Sequence, residues 1–136
     1  MSRTSLVLAA LAVLIAAPGC AKKTSDLQVI ISNPIADGSV VLKNRSGELK
    51  QGTNDLVVEF VGNGGKLISV QKATLSGSMP VPGGTPMGTA VTLQPSDEPG
   101  RFTAKPKLDM RGDWQFTVDF VLPSGPGQSF FSLTVK

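Results

Sequence analysis

Fifteen glycines and ten prolines punctuate this 136-residue sequence, and beyond residue 26 they cut it into short runs that leave little room for a helix. Glycine takes the positive φ angles that tight turns demand. Proline fixes φ and withdraws a backbone donor, so both residues end elements rather than prolong them. The runs between them are β-prone and mostly alternate apolar with polar side chains, the pattern of an all-β sandwich or barrel. Residues 27–31 and 40–43 read as first strands, parted by turn signals at Asn33-Pro34 and Asp37-Gly38. Residues 55–61 set Leu56, Val58 and Phe60 on one face and Val57, Glu59 and Val61 on the other, and Gly62-Asn63-Gly64-Gly65 turns the chain into a strand at 67–75. Residues 76–88 read as a long loop rich in Pro and Gly, followed by strands at 90–94 and 101–107 around a Pro99-Gly100 turn. Residues 113–121 alternate Trp114, Phe116, Val118 and Phe120 with Gln115, Thr117, Asp119 and Val121, the mark of a core strand. A turn at 123–127 then leads to a last strand at 129–135. Short strands at regular spacing around one Trp predict an immunoglobulin-like antiparallel β-sandwich, and with Cys20 the only cysteine no disulfide can brace it.

The first residues carry an address. Arg3 gives a positive start, residues 6–17 are uninterruptedly apolar, and Ala17-Pro18-Gly19 supplies the small residues that precede a cleavage site. Such a run is shorter than the roughly 20 residues of a spanning helix and has the length of a signal-peptide core. With Cys20 directly after it, the boundary resembles a bacterial lipobox, although Ala17 stands where that pattern usually has Leu. The resemblance implies a lipoprotein signal peptide over residues 1–19, an acylated Cys20, a lipidated tether over 20–26 and a single domain over 27–136. It places the chain in the cell envelope, lipid-anchored and facing the periplasm or the cell exterior. Lys22 and Lys23 sit in the tether, where each favours anionic headgroups by about 1 kcal/mol or simply remains solvated.

Charge and composition narrow the chemistry. There are 13 basic and 10 acidic residues, scattered rather than striped, and aromatics make up only 5%. Nucleic-acid binding wants a basic stripe interleaved with stacking rings, so no such partner is expected. The sequence has no His and no Tyr, and its one Cys is committed to lipid, so Ser-His and Cys-His nucleophile pairs cannot be built. Asp109 and Asp113 are the nearest thing to a catalytic carboxylate pair, but with Arg111 between them they read as a solvated turn. An enzyme is not expected. The absence of His also argues against Zn and Cu(II).

Several short motifs fall in a telling order: residues 49–58 (LKQGTNDLVV), a loop with Met79-Pro80 and Pro86-Met87, then Pro99-Gly100-Arg101-Phe102, then Met110-Arg111-Gly112-Asp113-Trp114. Together they resemble the YtkA-like domain family over residues 47–135. The resemblance implies a small exported or membrane-attached sandwich concerned with copper handling, metal efflux or oxidase assembly. Beyond Met1 the methionines are Met79, Met87 and Met110, all within those motifs. Thioethers are soft, uncharged donors that select Cu(I) and keep their donor power in an oxidising compartment, so these three are candidate Cu(I) ligands. Trp114 stands near them as a ring that can face a cation. Methionine is also a routine filler of core gaps, and on that reading Met87 and Met110 only plug the open end of a sandwich while Met79 is a loop residue. Two functions therefore stand side by side: a lipid-anchored accessory module with a Met-lined copper site, and a structural or protein-docking lipoprotein of an envelope complex with no metal role. Replacing Cys20→Ser should move the protein from the membrane fraction to the soluble fraction, since residues 27–136 contain no other run long and apolar enough to hold it; membrane fractionation reads the outcome.

Overall fold

The computed structural model describes residues 26–136; the export signal, Cys20 and the tether up to Ser25 lie outside the described residues. Eleven strands make up the element order. The first five are β1 (Gln28–Ile35), β2 (Gly38–Asn44), β3 (Gly52–Thr53), β4 (Leu56–Gly62) and β5 (Lys72–Met79). They are followed by β6 (Met87–Thr92), β7 (Gln94–Pro95), β8 (Arg101–Ala104), β9 (Lys107–Leu108), β10 (Gly112–Leu122) and β11 (Gly125–Val135). One sheet has the order β1-β2-β4-β8-β7, the other β11-β10-β5-β6, and β3 pairs with β9. Every strand pairing is antiparallel. The result is an antiparallel β-sandwich with no disulfide, consistent with an immunoglobulin-like arrangement.

The core follows from the period-2 alternation of facing strands, β10 above all. In β10, Trp114, Phe116, Val118, Phe120 and Leu122 are all buried, and in β4 Leu56, Val58 and Phe60 meet them from the facing sheet. Phe60 lies edge-on to both Phe102 and Phe120, with centroids 5.7 and 5.2 Å away, while Trp114 stacks on Phe116 at 6.1 Å. Two glycines make room for these rings: a Cβ at Gly77 would sit 2.6 Å from Phe116, and one at Gly127 would sit 2.6 Å from Phe120. Each is the cross-strand partner of the ring that covers it, so the aromatic side chain seals the gap the glycine leaves.

The structure departs from the sequence expectation in several places. Residues 101–107 are not one strand but divide into β8, in the five-stranded sheet, and β9, paired with β3, with a break at Lys105-Pro106. Asn33-Pro34 is not a turn but lies within β1, an edge strand where a missing N–H is tolerated. Asn33 instead uses its side-chain amide on the carbonyl of Phe130, tying β1 to β11. Residues 67–71 are not strand: Leu67 makes only an isolated bridge to Val61, Ile68 N–H donates to the Phe60 carbonyl at 2.7 Å, and the chain then crosses to the other sheet. The expected loop at 76–88 is shorter, because β5 runs on to Met79 and β6 begins at Met87, leaving residues 80–86 as the connection. The last turn is likewise shorter, Pro123 and Ser124 alone joining β10 to β11.

Trp114 is 1% exposed at the centre of this packing. Trp114→Ala should cost about 3–5 kcal/mol of unfolding free energy, and the wild-type Trp emission should be that of a ring shielded from water; denaturant titration and fluorescence check both.

Candidate functional site

One end of the sandwich gathers the methionine-bearing motif segments. Met79 and Met87 are direct cross-strand partners at the end of the β5–β6 ladder, so they share a face, and both are partly buried against the core cluster. They belong to strand ends, not to one loop as the sequence suggested. Met79 also reaches the start of β10: a methyl group placed on Gly112 would lie 2.5 Å from Met79 Cε and 3.5 Å from its sulfur. Gly112 has φ +130, a backbone region that favours glycine, and the missing side chain leaves the space that the Met79 thioether fills. Met110, two residues before Gly112, is 38% exposed and stands among the few exposed large apolar residues.

Trp114 takes part through its edge. The indole N–H donates to the Met110 carbonyl at 3.0 Å, which pins the segment before β10, while the ring is stacked on Phe116 in the core. The structure thus brings the segments of Met79, Met87, Met110 and Trp114 to one end of the sheets. Asp109 and Asp113 do not form a pair: Lys107 lies 3.9 Å from Asp109, and Asp113 accepts the Thr134 hydroxyl at 2.8 Å. Among the described residues no group of three His, Cys, Asp or Glu side chains is placed to hold a metal ion.

The other motif residues prove to be architectural. Asn54 is 7% exposed and folds its own loop: it accepts from Lys50 N–H at 2.9 Å and donates to the carbonyls of Lys50 and Gly52 at 2.8 and 3.1 Å. Those bonds close the turn that carries β3 beside β9. Gly100 has φ +83, and a Cβ there would meet the Ile68 carbonyl oxygen at 2.1 Å, so the turn into β8 admits only glycine. Next to it, Arg101 reaches Glu59 at 3.3 Å and Glu98 at 3.2 Å, and Lys43 reaches Glu59 at 2.7 Å. Glu59 is 5% exposed although it lies on the outward face of β4, because these two cations cover it. Sequence alternation placed Glu59 on that face but gave no sign of its burial; the signal lay in two distant cations, Lys43 and Arg101, that the register aligns with it.

A groove of about 840 Å³ opens along the side of the sandwich, lined among others by Leu27, Asp55, Leu56, Val91, Ala104 and Lys105, and no methionine lines it. The methionine end is therefore a separate feature.

An antiparallel sandwich whose Gly-Thr-Asn turn, Gly-Arg-Phe turn and Met-to-Trp segment each have a structural reason defines a class of protein. Residues 33–119 match the YtkA-like family, more than half of the chain, and the chain belongs to that family. The match spans Asn54, Met79, Met87, Gly100 and the segment from Met110 to Trp114. No curated protein and no solved structure matches the chain. Gly100→Ala should lower the unfolding free energy by about 2 kcal/mol or more, since a left-handed backbone costs an L-residue about 1–2 kcal/mol and the Ile68 carbonyl must also move. A lowered urea midpoint at unchanged slope would register it.

Proposed function

We propose that this chain is a lipid-anchored accessory module of the cell envelope that carries Cu(I) on thioether sulfurs at the methionine end of its sandwich. The observation that carries this reading is the convergence of Met79, Met87 and the segment of Met110 on one end: two by direct cross-strand pairing, the third through the contact of Met79 with Gly112. The donor chemistry fits a soft monovalent ion. Three neutral sulfurs suit Cu(I), add no charge, and need no proton removed before binding. Met110 is exposed enough to receive an ion from solvent or a partner, whereas Met79 and Met87, half-packed on the core, hold their positions. Handling of copper, metal efflux or assembly of a copper-containing oxidase are the settings that suit such a carrier. The absence of His from the sequence, which excludes Ser-His and Cys-His nucleophile pairs, favours a binding role over that kind of catalysis.

Competition of the purified protein against a colorimetric Cu(I) chelator tests the reading. Changing Met79, Met87 and Met110 together to Leu should abolish Cu(I) binding while costing under about 1.5 kcal/mol of stability per site, because Leu nearly conserves the volume of Met. Wild-type affinity should stay level from acid to neutral pH, unlike that of a His or thiolate site. Undiminished affinity in the triple variant would leave a docking lipoprotein without a metal role.

A further inference from the structure

The start of β1 and the methionine end are the same end of the molecule. Gln28 pairs with Asn44, and its side chain lies against Gly47, where an added Cβ would meet Gln28 Oε1 at 2.9 Å. From Asn44 the chain passes through Glu48, which Lys136 reaches at 3.0 Å, to Leu49, which bridges to Val135. Val135 is the cross-strand partner of Gly112, and Gly112 is the residue on which Met79 packs. The route from Gln28 to Met79 therefore crosses one end of the sandwich without leaving it. The turn at Gly62-Asn63 and the Pro99-Gly100 turn lie at the other end, a strand length away.

Charge at the near end has a sign. Lys105, Lys107 and Lys136 are paired with Asp55, Asp109 and Glu48. Among the described residues, Arg45, Lys50 and Arg111 at this end have no ion-pair partner, against Asp26 and Asp113, and Lys22 and Lys23 follow Cys20 in the sequence. The balance is positive.

We infer that the anchored domain stands with its methionine end toward an anionic bilayer, so that the Cu(I) site opens onto the headgroup layer rather than onto the bulk aqueous compartment. The inference rests on acylation of Cys20 and on the Met-lined site proposed above. Eight residue steps separate Cys20 from Gln28, a reach of at most about 29 Å fully extended, which keeps this end nearer the membrane than the other. The excess positive charge holds it there, because basic groups beside an anionic leaflet are attracted within a Debye length. An ion delivered by or to a membrane-embedded protein then has a short path to Met110, and a freely diffusing carrier has a poor one.

The test uses the full-length acylated protein in vesicles of phosphatidylcholine, with and without phosphatidylglycerol, and a nitroxide quencher on the lipid headgroup. A fluorophore is attached through one introduced cysteine, either Thr53→Cys at the near end or Asn63→Cys at the far end, both exposed and uncharged positions. The label at position 53 should be quenched severalfold more than the label at 63 when phosphatidylglycerol is present, and roughly 1 M salt, with its Debye length of about 3 Å, should shrink the difference. Equal quenching at the two positions, or stronger quenching at 63, in a chain whose mass carries the acyl groups overturns the orientation and leaves the anchor standing. A mass without acyl groups overturns the anchor and the orientation with it. Cu(I) affinity, read separately by chelator competition, decides the metal reading independently of both.

Discussion

The indole of Trp114 joins the core of this domain to its methionine end. Its ring fills the space between the sheets and stacks on Phe116, and its one donor is spent on the Met110 carbonyl. A buried indole N–H left without a partner costs about 1–3 kcal/mol, so the ring cannot settle in the core unless the segment before β10 comes with it. Packing energy is thereby turned into a fixed position for Met110 and Gly112, and through Gly112 for Met79. The end of the sandwich and the core thus share one side chain.

What the sequence disclosed and what it hid follow from the range of the forces involved. Alternation over β10 was readable because its inward residues are apolar and its outward ones mostly polar; in β4 the trio Leu56, Val58 and Phe60 marked the inner face although Val57 and Val61 share the outer one with Glu59, and the structure buries the expected face in both strands. The Asp37-Gly38 and Gly62-Asn63 turns were readable because they need only local chemistry. The strand β5 was misplaced because its second half, Ser76-Gly77-Ser78, looks like a loop, and only the ring of Phe116 across the ladder makes a glycine acceptable there. Leu67 and Ile68 misled in the other direction: Ile68 packs on the core and Leu67 only bridges to Val61 while the chain crosses between sheets. Glu59 in its cage of cations and Asn54 in its loop were beyond reach, since both depend on which distant groups the fold delivers.

The family likeness has a physical content that separates it from the proposed chemistry. Asn54 supplies three hydrogen bonds to a turn, Gly100 admits a neighbouring carbonyl, and Gly112 admits a thioether. These are conditions on backbone path, and they hold whether or not an ion is ever bound. The methionines are a smaller layer set onto that frame, and a chain can keep the frame while exchanging them.

Pairing of Met79 with Met87 across the β5–β6 ladder has a consequence for how such a site tolerates change. The seven residues between them, 80–86, are the most obvious place for insertions and deletions, and in a site built on a loop every such event would displace a ligand. Here the register fixes the distance between the two sulfur-bearing positions, and the connection can lengthen or shorten without reaching them. The spacing of the two methionines is thus inherited with the sheet, while the loop above them is left to vary in shape and in what it touches.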